Sequence, residues 1–419
     1  MQSDRGDAKT PVRIAFLPKR IAQARWTTGA DAKGKMDSAE VQTSLFEEAA
    51  DSAEVRREAA ALFDLRLSLK KKLLIGFAVL VVVLGSYCLG RYSSDIVAVA
   101  QGTYEGIVVF FLNLQAGCLW DWGQMDFVNP VYAPSDESMN AALFQIRLPR
   151  IIVVFLVGGA LSMAGASYQG MFKNPLVSPD LLGASAGASF GACLAMLLNL
   201  PNALIQLFAF AGGMIAVGCV VGLNRAIRGD AMLGLILGGI LVGTLFQSGT
   251  SIIKLVADAD DKLPAITFWL MGSFAGVTLK DFFIILLPML IGFTLLMSQR
   301  WKLNVMSFGE EEAKSLGINT ARTRLIVIFG ATLLASCSVA VAGIIGWIGL
   351  VVPHLARAVV GPNYRLLLPT TLAVGAIFLL LVDDCARMLY ATEIPIGLLT
   401  SILGVPFFIF IYRKNMRGW

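Results

Sequence analysis

From Leu73 to the C-terminus the sequence is a succession of apolar runs, each about 20 residues long, the length a helix needs to cross a hydrocarbon layer of ~30 Å. Inside a bilayer no water is present to satisfy backbone amides and carbonyls, so such runs must be helical. The unbroken runs do not show the ten-residue alternation of an outer-membrane barrel. With 56% hydrophobic and 15% charged residues, the chain is too apolar for a soluble domain. The net charge of +5 resides in short basic clusters beside the apolar runs, as orientation signals do, and not in a nucleic-acid-binding patch. Six dispersed cysteines without a CxxC pair and one histidine, His354, leave no zinc-type ligand set and no catalytic constellation. His354, following Pro353, reads as structural.

Residues 1–69 are polar and charged, without the apolar core of a signal peptide, and read as a cytoplasmic extension in which DSAEV occurs twice, at 37–41 and 51–55. Either a solvated extension or a regulatory segment fits this composition. Lys70, Lys71 and Lys72 precede the first crossing, 73–90, and set it running outward. Residues 91–146, with an apolar patch at 107–114 and a Trp-containing loop at 118–138, read as an external segment near the interface instead of a full crossing. Further crossings are expected at 148–169, 181–199, 203–223, 232–253, 281–299, 322–342, 344–357, 366–388 and 396–412, about ten in all. Lys173, Arg225, Arg300, Arg322, Arg357 and Arg413 then share the side of the lysine triplet, while Asp258, Asp260 and Asp261 fall outside. Both termini, including a short tail at 414–419, are expected in the cytoplasm. Frequent Gly, Ala and Ser permit close helix contact where lipid removes the hydrophobic drive.

Three stretches are more specific than composition: RLPRIIVVFLVGGALSMAGASYQGMFKNPLVSPDLLGASAG at 147–187, SFGEEEAKSLGINTARTR at 307–324, and GIIGWIGLVVPHLARAVVGPNYRLLLP at 343–369. Together with EIPIG at 393–397 and GVPFF at 404–408, they resemble the permease subunits of the iron-siderophore, haem and vitamin B12 family of ABC importers over roughly residues 70–413. The resemblance implies an all-α polytopic membrane protein, a compact bundle with broken helices in the type II importer architecture. It also implies a second permease copy, two ATPase subunits and an extracytoplasmic substrate-binding protein. ATP and Mg would belong to the ATPase, since this chain has no GxxxxGK[ST] phosphate loop and no cofactor of its own is expected.

The segment 174–179 cannot continue a helix through Pro175 and Pro179. It is a reverse turn, and the resemblance makes Gln169, Asn174 and Pro175 candidates for the pathway lining. Residues 300–321 form a cytoplasmic segment holding Gly309, Glu310, Glu311, Glu312, Ala313, Leu316 and Gly317. It reads either as a solvated short helix or, by the resemblance, as the segment that couples to the ATPase, with its small and apolar positions docking and its acids meeting the partner's rim. Arg147 and Arg150 sit on the outer side, against the positive-inside tendency, and either snorkel to headgroups or, with Arg387, match the positions that receive acidic residues of the binding protein. Asp383 and Asp384 stand three and four residues from Arg387 and are expected to neutralise it. The expected cargo is an iron chelate, either siderophore or haem, or a related metal chelate such as cobalamin. The alternative is an ion-coupled secondary transporter, which would use midplane charges that this sequence largely lacks. A membrane enzyme is weaker still.

Overall fold

The computed structural model describes residues 69–90, 95–121, 126–226, 231–390 and 392–416. The extension at 1–68, with its DSAEV repeats, and the last three residues lie outside them.

Apart from one hairpin, the regular elements of the described chain are helices. In order, the elements are α1 (Leu69–Cys88), α2 (Ile96–Gln115), the strands β1 (Leu119–Asp121) and β2 (Asp126–Val128), α3 (Glu137–Phe172), α4 (Ala184–Leu197), α5 (Asn202–Ala226), α6 (Ala231–Val256), α7 (Lys262–Leu270), α8 (Leu279–Phe308), α9 (Glu310–Ser315), α10 (Thr320–Ala342), α11 (Ile348–Val360), α12 (Tyr364–Met388) and α13 (Ile396–Met416). Eight of these, α1, α2, α3, α5, α6, α8, α10 and α12, are long and apolar enough to cross a membrane. The apolar stretches of α4, α11 and α13 are shorter. This is an all-α, multi-pass membrane protein.

α3 and α10 are apolar on all sides, and such helices belong in the interior of a bundle. Both are largely buried, and α3 packs on α1, α8, α10, α11 and α12. Contact is at backbone distance: a Cβ on Gly165 of α3 would sit 2.6 Å from the carbonyl carbon of Gly349 in α11. Only a residue without a side chain allows these two helices to meet there.

The crossing expected at 344–357 starts late. Residues 343–347 are non-helical, with Gly343 and Trp347 both at φ 69°, and α11 begins at Ile348. Positive φ at both positions prevents α10 from running on, which produces the broken helix.

The segment 91–146, expected as an interfacial stretch without a full crossing, contains α2, whose length and apolarity suffice for a span. α2 packs through Val99, Gly102 and Gly106 on Met139, Leu143 and Phe144, all in the first part of α3. α3 has 36 residues and is about 54 Å long at ~1.5 Å per residue, so one end outruns a ~30 Å hydrocarbon layer. A π-helical stretch at Ala141–Arg147 interrupts it where α2 rests. Beyond α2 the chain forms the antiparallel hairpin β1–β2, and buried Asn113 ties down the segment after the hairpin. The Asn113 Oδ1 accepts from the amides of Val131 and Tyr132 at 2.8 Å, and its Nδ2 donates to the Tyr132 carbonyl at 2.8 Å.

Candidate functional site

α6 is apolar, yet Gly239, Gly243, Gln247, Ser251 and Lys254 recur at intervals of three and four and therefore share one face, with Thr244 beside Gly243. They form one wall of a groove of about 840 Å³. The facing wall comes from the turn 178–183 and the start of α4, with Asp180, Ser185 and Ser189; Leu270 and Ile344 complete the lining. The turn approaches closely because Gly183 takes φ 76° and faces the glycines of α6: a Cβ on Gly239 would stand 3.0 Å from the Cα of Leu182. Thr244 and Ser251 donate to the carbonyls of Ile240 and Gln247 at 2.8 and 3.0 Å, and the Asp180 carboxylate accepts from the Ser185 hydroxyl. With their protons committed to the helix, these hydroxyls keep oxygen lone pairs as acceptors for a solute. The groove therefore presents acceptors, one amide, one carboxylate and one ammonium along a path walled by apolar helices.

The three residues expected to line a pathway are not in this groove. Gln169 is buried, its Nε2 donating to the carbonyls of Val177 and Leu350 at 3.3 Å each. Asn174 accepts from the Leu176 amide at 2.9 Å, and the Pro175 carbonyl is held by His354 Nε2 at 3.0 Å. These contacts lock the turn after α3 onto α11, so all three residues and His354 serve the turn, and none is among the groove's lining residues.

At one end of the bundle, around the start of α9, Glu310 anchors the short helix. Its Oε1 accepts from Thr320 Oγ1 at 3.0 Å and pairs with Lys314 at 3.3 Å, and its Oε2 pairs with Arg324 at 3.0 Å. Partial burial raises its pKa, but the Thr320 hydroxyl, Arg324 and Lys314 outweigh this and hold the carboxyl below the usual range. Ala313 is buried against Val305, Met306 and Ile318. Ala313 thus seats its own chain's helix, and Glu310 holds Thr320, Lys314 and Arg324 while its side chain stays 43% exposed. Gly309 is buried where the chain turns, and Gly317 leaves the helix at φ 77°. The exposed surface of this segment includes Glu311, Glu312 and the apolar pair Phe308 and Leu316, which are 76% and 65% exposed.

At the opposite end, Arg147, Arg150 and Arg387, expected as an outward-facing set, are buried. Arg150 of α3 grips Asp383 of α12 with Nε at 3.0 Å and Nη2 at 2.8 Å and reaches Glu393 with Nη1 at 2.8 Å. Arg387 pairs with Asp383 at 3.3 Å and with Asp384, which also accepts from Ser86 of α1 at 2.7 Å. Arg147 donates to the carbonyls of Tyr87 and Cys88 at 3.1 and 3.4 Å. The expected local pairing of Arg387 with its two aspartates is present, but within a network joining three helices and the loop before α13. Buried charges persist only when so paired.

A multi-pass bundle with broken helices, a polar groove along an otherwise apolar helix and buried ion pairs at one end is the architecture of a solute-transporting membrane protein. The FecCD transport family model matches residues 104–414, and the chain belongs to that family. It is 36% identical over 83% of its length, and 97% of the relative's, to the molybdate import system permease protein MolB of Haemophilus influenzae. It is 34% identical over 72% of its length, and 81% of the relative's, to the cobalamin import system permease protein BtuC of Halobacterium salinarum. Among solved structures, an inward-facing conformation of a metal-chelate type ABC transporter matches with a TM-score of 0.68 and 33% identity, over 81% of this chain and 97% of that one.

Proposed function

We propose that this chain is the membrane-spanning subunit of an ATP-driven importer that passes a metal chelate, or a metal-containing solute of similar size, into the cytoplasm by alternating access. The observation that carries this reading is the groove along α6. Its volume of about 840 Å³ suits a solute much larger than a single ion, and its hydroxyl oxygens, amide, carboxylate and ammonium suit a hydrogen-bonding chelate that keeps its metal enclosed. Relatives named for molybdate, cobalamin and iron chelatin transport bracket the cargo class. An iron chelate, siderophore or haem, is the cargo we favour within it.

The exposed Leu237, Leu241 and Leu245 lie on α6 beside the groove. A second permease copy covering them would close the groove into a central path. ATP and Mg reside on two separate ATPase subunits, which seat against Phe308, Leu316, Glu311 and Glu312. Closure of that pair is transmitted through α9 to α8 and α10. The lysine-rich start of α1 and the α9 end face the cytoplasm, and the buried arginine end faces the extracytoplasmic binding protein, with both termini inside.

The test is purification from the native membrane in mild detergent, identification of stoichiometric companions, and reconstitution with them. A phosphate-loop ATPase at equal copy number and uptake dependent on ATP support the reading. Uptake that follows a proton or sodium gradient without any ATPase would replace it with secondary transport.

A further inference from the structure

Arg150 spends its guanidinium unevenly. The Nε and Nη2 edge holds Asp383, whose side chain is 0% exposed, whereas Nη1 holds Glu393, whose side chain is 25% exposed. Glu393 is attached through one oxygen; its Oε2 is buried without a hydrogen-bond partner among the described residues. It lies in the loop between α12 and α13, which backbone bonds hold just after the carboxylate: the Ile394 amide donates to Ala386 at 3.3 Å and the Ile396 amide to Gly272 at 2.9 Å. Arg150 thus has one deep, bidentate acid and one shallow, monodentate acid.

We propose that Glu393 is a resident carboxylate that holds the docking position on Arg150 and is exchanged for a carboxylate of the extracytoplasmic binding protein when the two proteins meet. The inference rests on the reading that this end of the bundle receives that protein. A guanidinium already saturated by two carboxylates cannot accept a third acid without releasing one. Asp383 cannot leave, because it is fully buried and shared with Arg387. Glu393 can, since it is partly solvated and sits on a loop. Exchange of one acid for another keeps Arg150 neutralised throughout, so no step strands a buried charge. The same loop continues to the Gly397 amide, which donates to Met271 at 3.0 Å, next to the groove-lining Leu270. Release of Glu393 therefore loosens a loop seated against the groove's rim.

The experiment measures the dissociation constant of the complete transporter in nanodiscs for its own binding protein, with wild type, Glu393→Ala, Glu393→Gln and Arg147→Gln. Removal of the resident acid should tighten docking by about two- to fivefold, the scale of a partly exposed ion pair, with Gln giving a smaller gain because its amide oxygen still accepts from Arg150. Arg147 is itself buried, so Arg147→Gln should weaken docking indirectly, by about two- to fivefold, through loss of its bonds to the Tyr87 and Cys88 carbonyls, and serves as the control for this end of the bundle. If Arg147→Gln weakens docking while both Glu393 variants leave it unchanged or weaken it, the exchange is wrong and the docking surface stands. If none of the variants alters the constant, the docking reading fails and the exchange with it. Should Glu393→Ala not fold, Glu393→Gln alone decides, tightening supporting the exchange and any other result overturning it.

Discussion

The buried ion network offers the largest single-residue effect outside the groove. Asp383 is 0% exposed and accepts from Arg150 at 3.0 and 2.8 Å and from Arg387 at 3.3 Å. Asp383→Asn removes a charge shared by two guanidiniums and leaves Arg150 with the monodentate Glu393 and Arg387 with Asp384. Breaking a buried pair by deleting one partner costs about 3–5 kcal/mol, mostly because the remaining charge is stranded in a low dielectric. The surviving acids reduce this, and we expect about 3 kcal/mol. The assay is a reversible unfolding titration in mixed micelles, with exposed Glu311→Gln as a control expected to change stability by less than about 0.5 kcal/mol. The triple variant Arg150→Met, Asp383→Leu and Glu393→Gln should lose clearly less than Asp383→Asn, because it removes Arg150 together with both of its acids and leaves Arg387 with Asp384. An Asp383→Asn loss no larger than the Glu311→Gln control, or a triple variant worse than the single, would refute the reasoning.

Gly165→Ala should destabilise the bundle by about 1–3 kcal/mol in the same titration, since the new methyl meets the backbone of Gly349, whereas Gly218→Ala, with nothing within 4 Å, should be neutral or slightly stabilising. The lowered pKa of Glu310 means that its ion pairs contribute stability above the ordinary carboxylate range and lose that contribution as pH falls through the lowered value. The melting-temperature gap between wild type and Glu310→Gln should therefore be full near neutrality and close on acidification; a gap that widens at low pH would contradict the assignment. Leu316→Asp should reduce retention of the ATPase partner in a pull-down without lowering the melting temperature of the chain, because Leu316 is 65% exposed.

Much of the fold was legible because the bilayer imposes one length scale on every crossing. The runs at 148–169, 203–223, 281–299 and 366–388 correspond to α3, α5, α8 and α12. The reading of α2 depended on averaging: Gln101, Gly102 and Glu105 break its apolar run in sequence, although as a helix it is apolar enough to span. The site was less legible. Asp383 and Asp384 could be assigned to Arg387 from helical spacing, but Arg150 lies 233 and 243 residues from its two acids, a separation no local pattern bridges. The groove did leave a local signal, the hydroxyls and amide of Thr244, Gln247 and Ser251 at helical spacing inside an apolar run. It was hidden among many Gly and Ser positions that serve only packing. Proline-rich residues 174–179 drew notice because they break a helix, and the structure assigns them to a turn.

The central claim is that solute moves along the polar face of α6, and it can be tested with Ser251→Cys and Gln247→Cys in a background where the exposed Cys219 and Cys385 are replaced by serine. Proteoliposomes containing the complete transporter are treated with a membrane-impermeant anionic thiol reagent during ATP-driven uptake of the chelate. The account predicts that modification at either position blocks uptake while nucleotide hydrolysis persists, and that excess cargo slows the modification. Full labelling at both positions with undiminished uptake would contradict it.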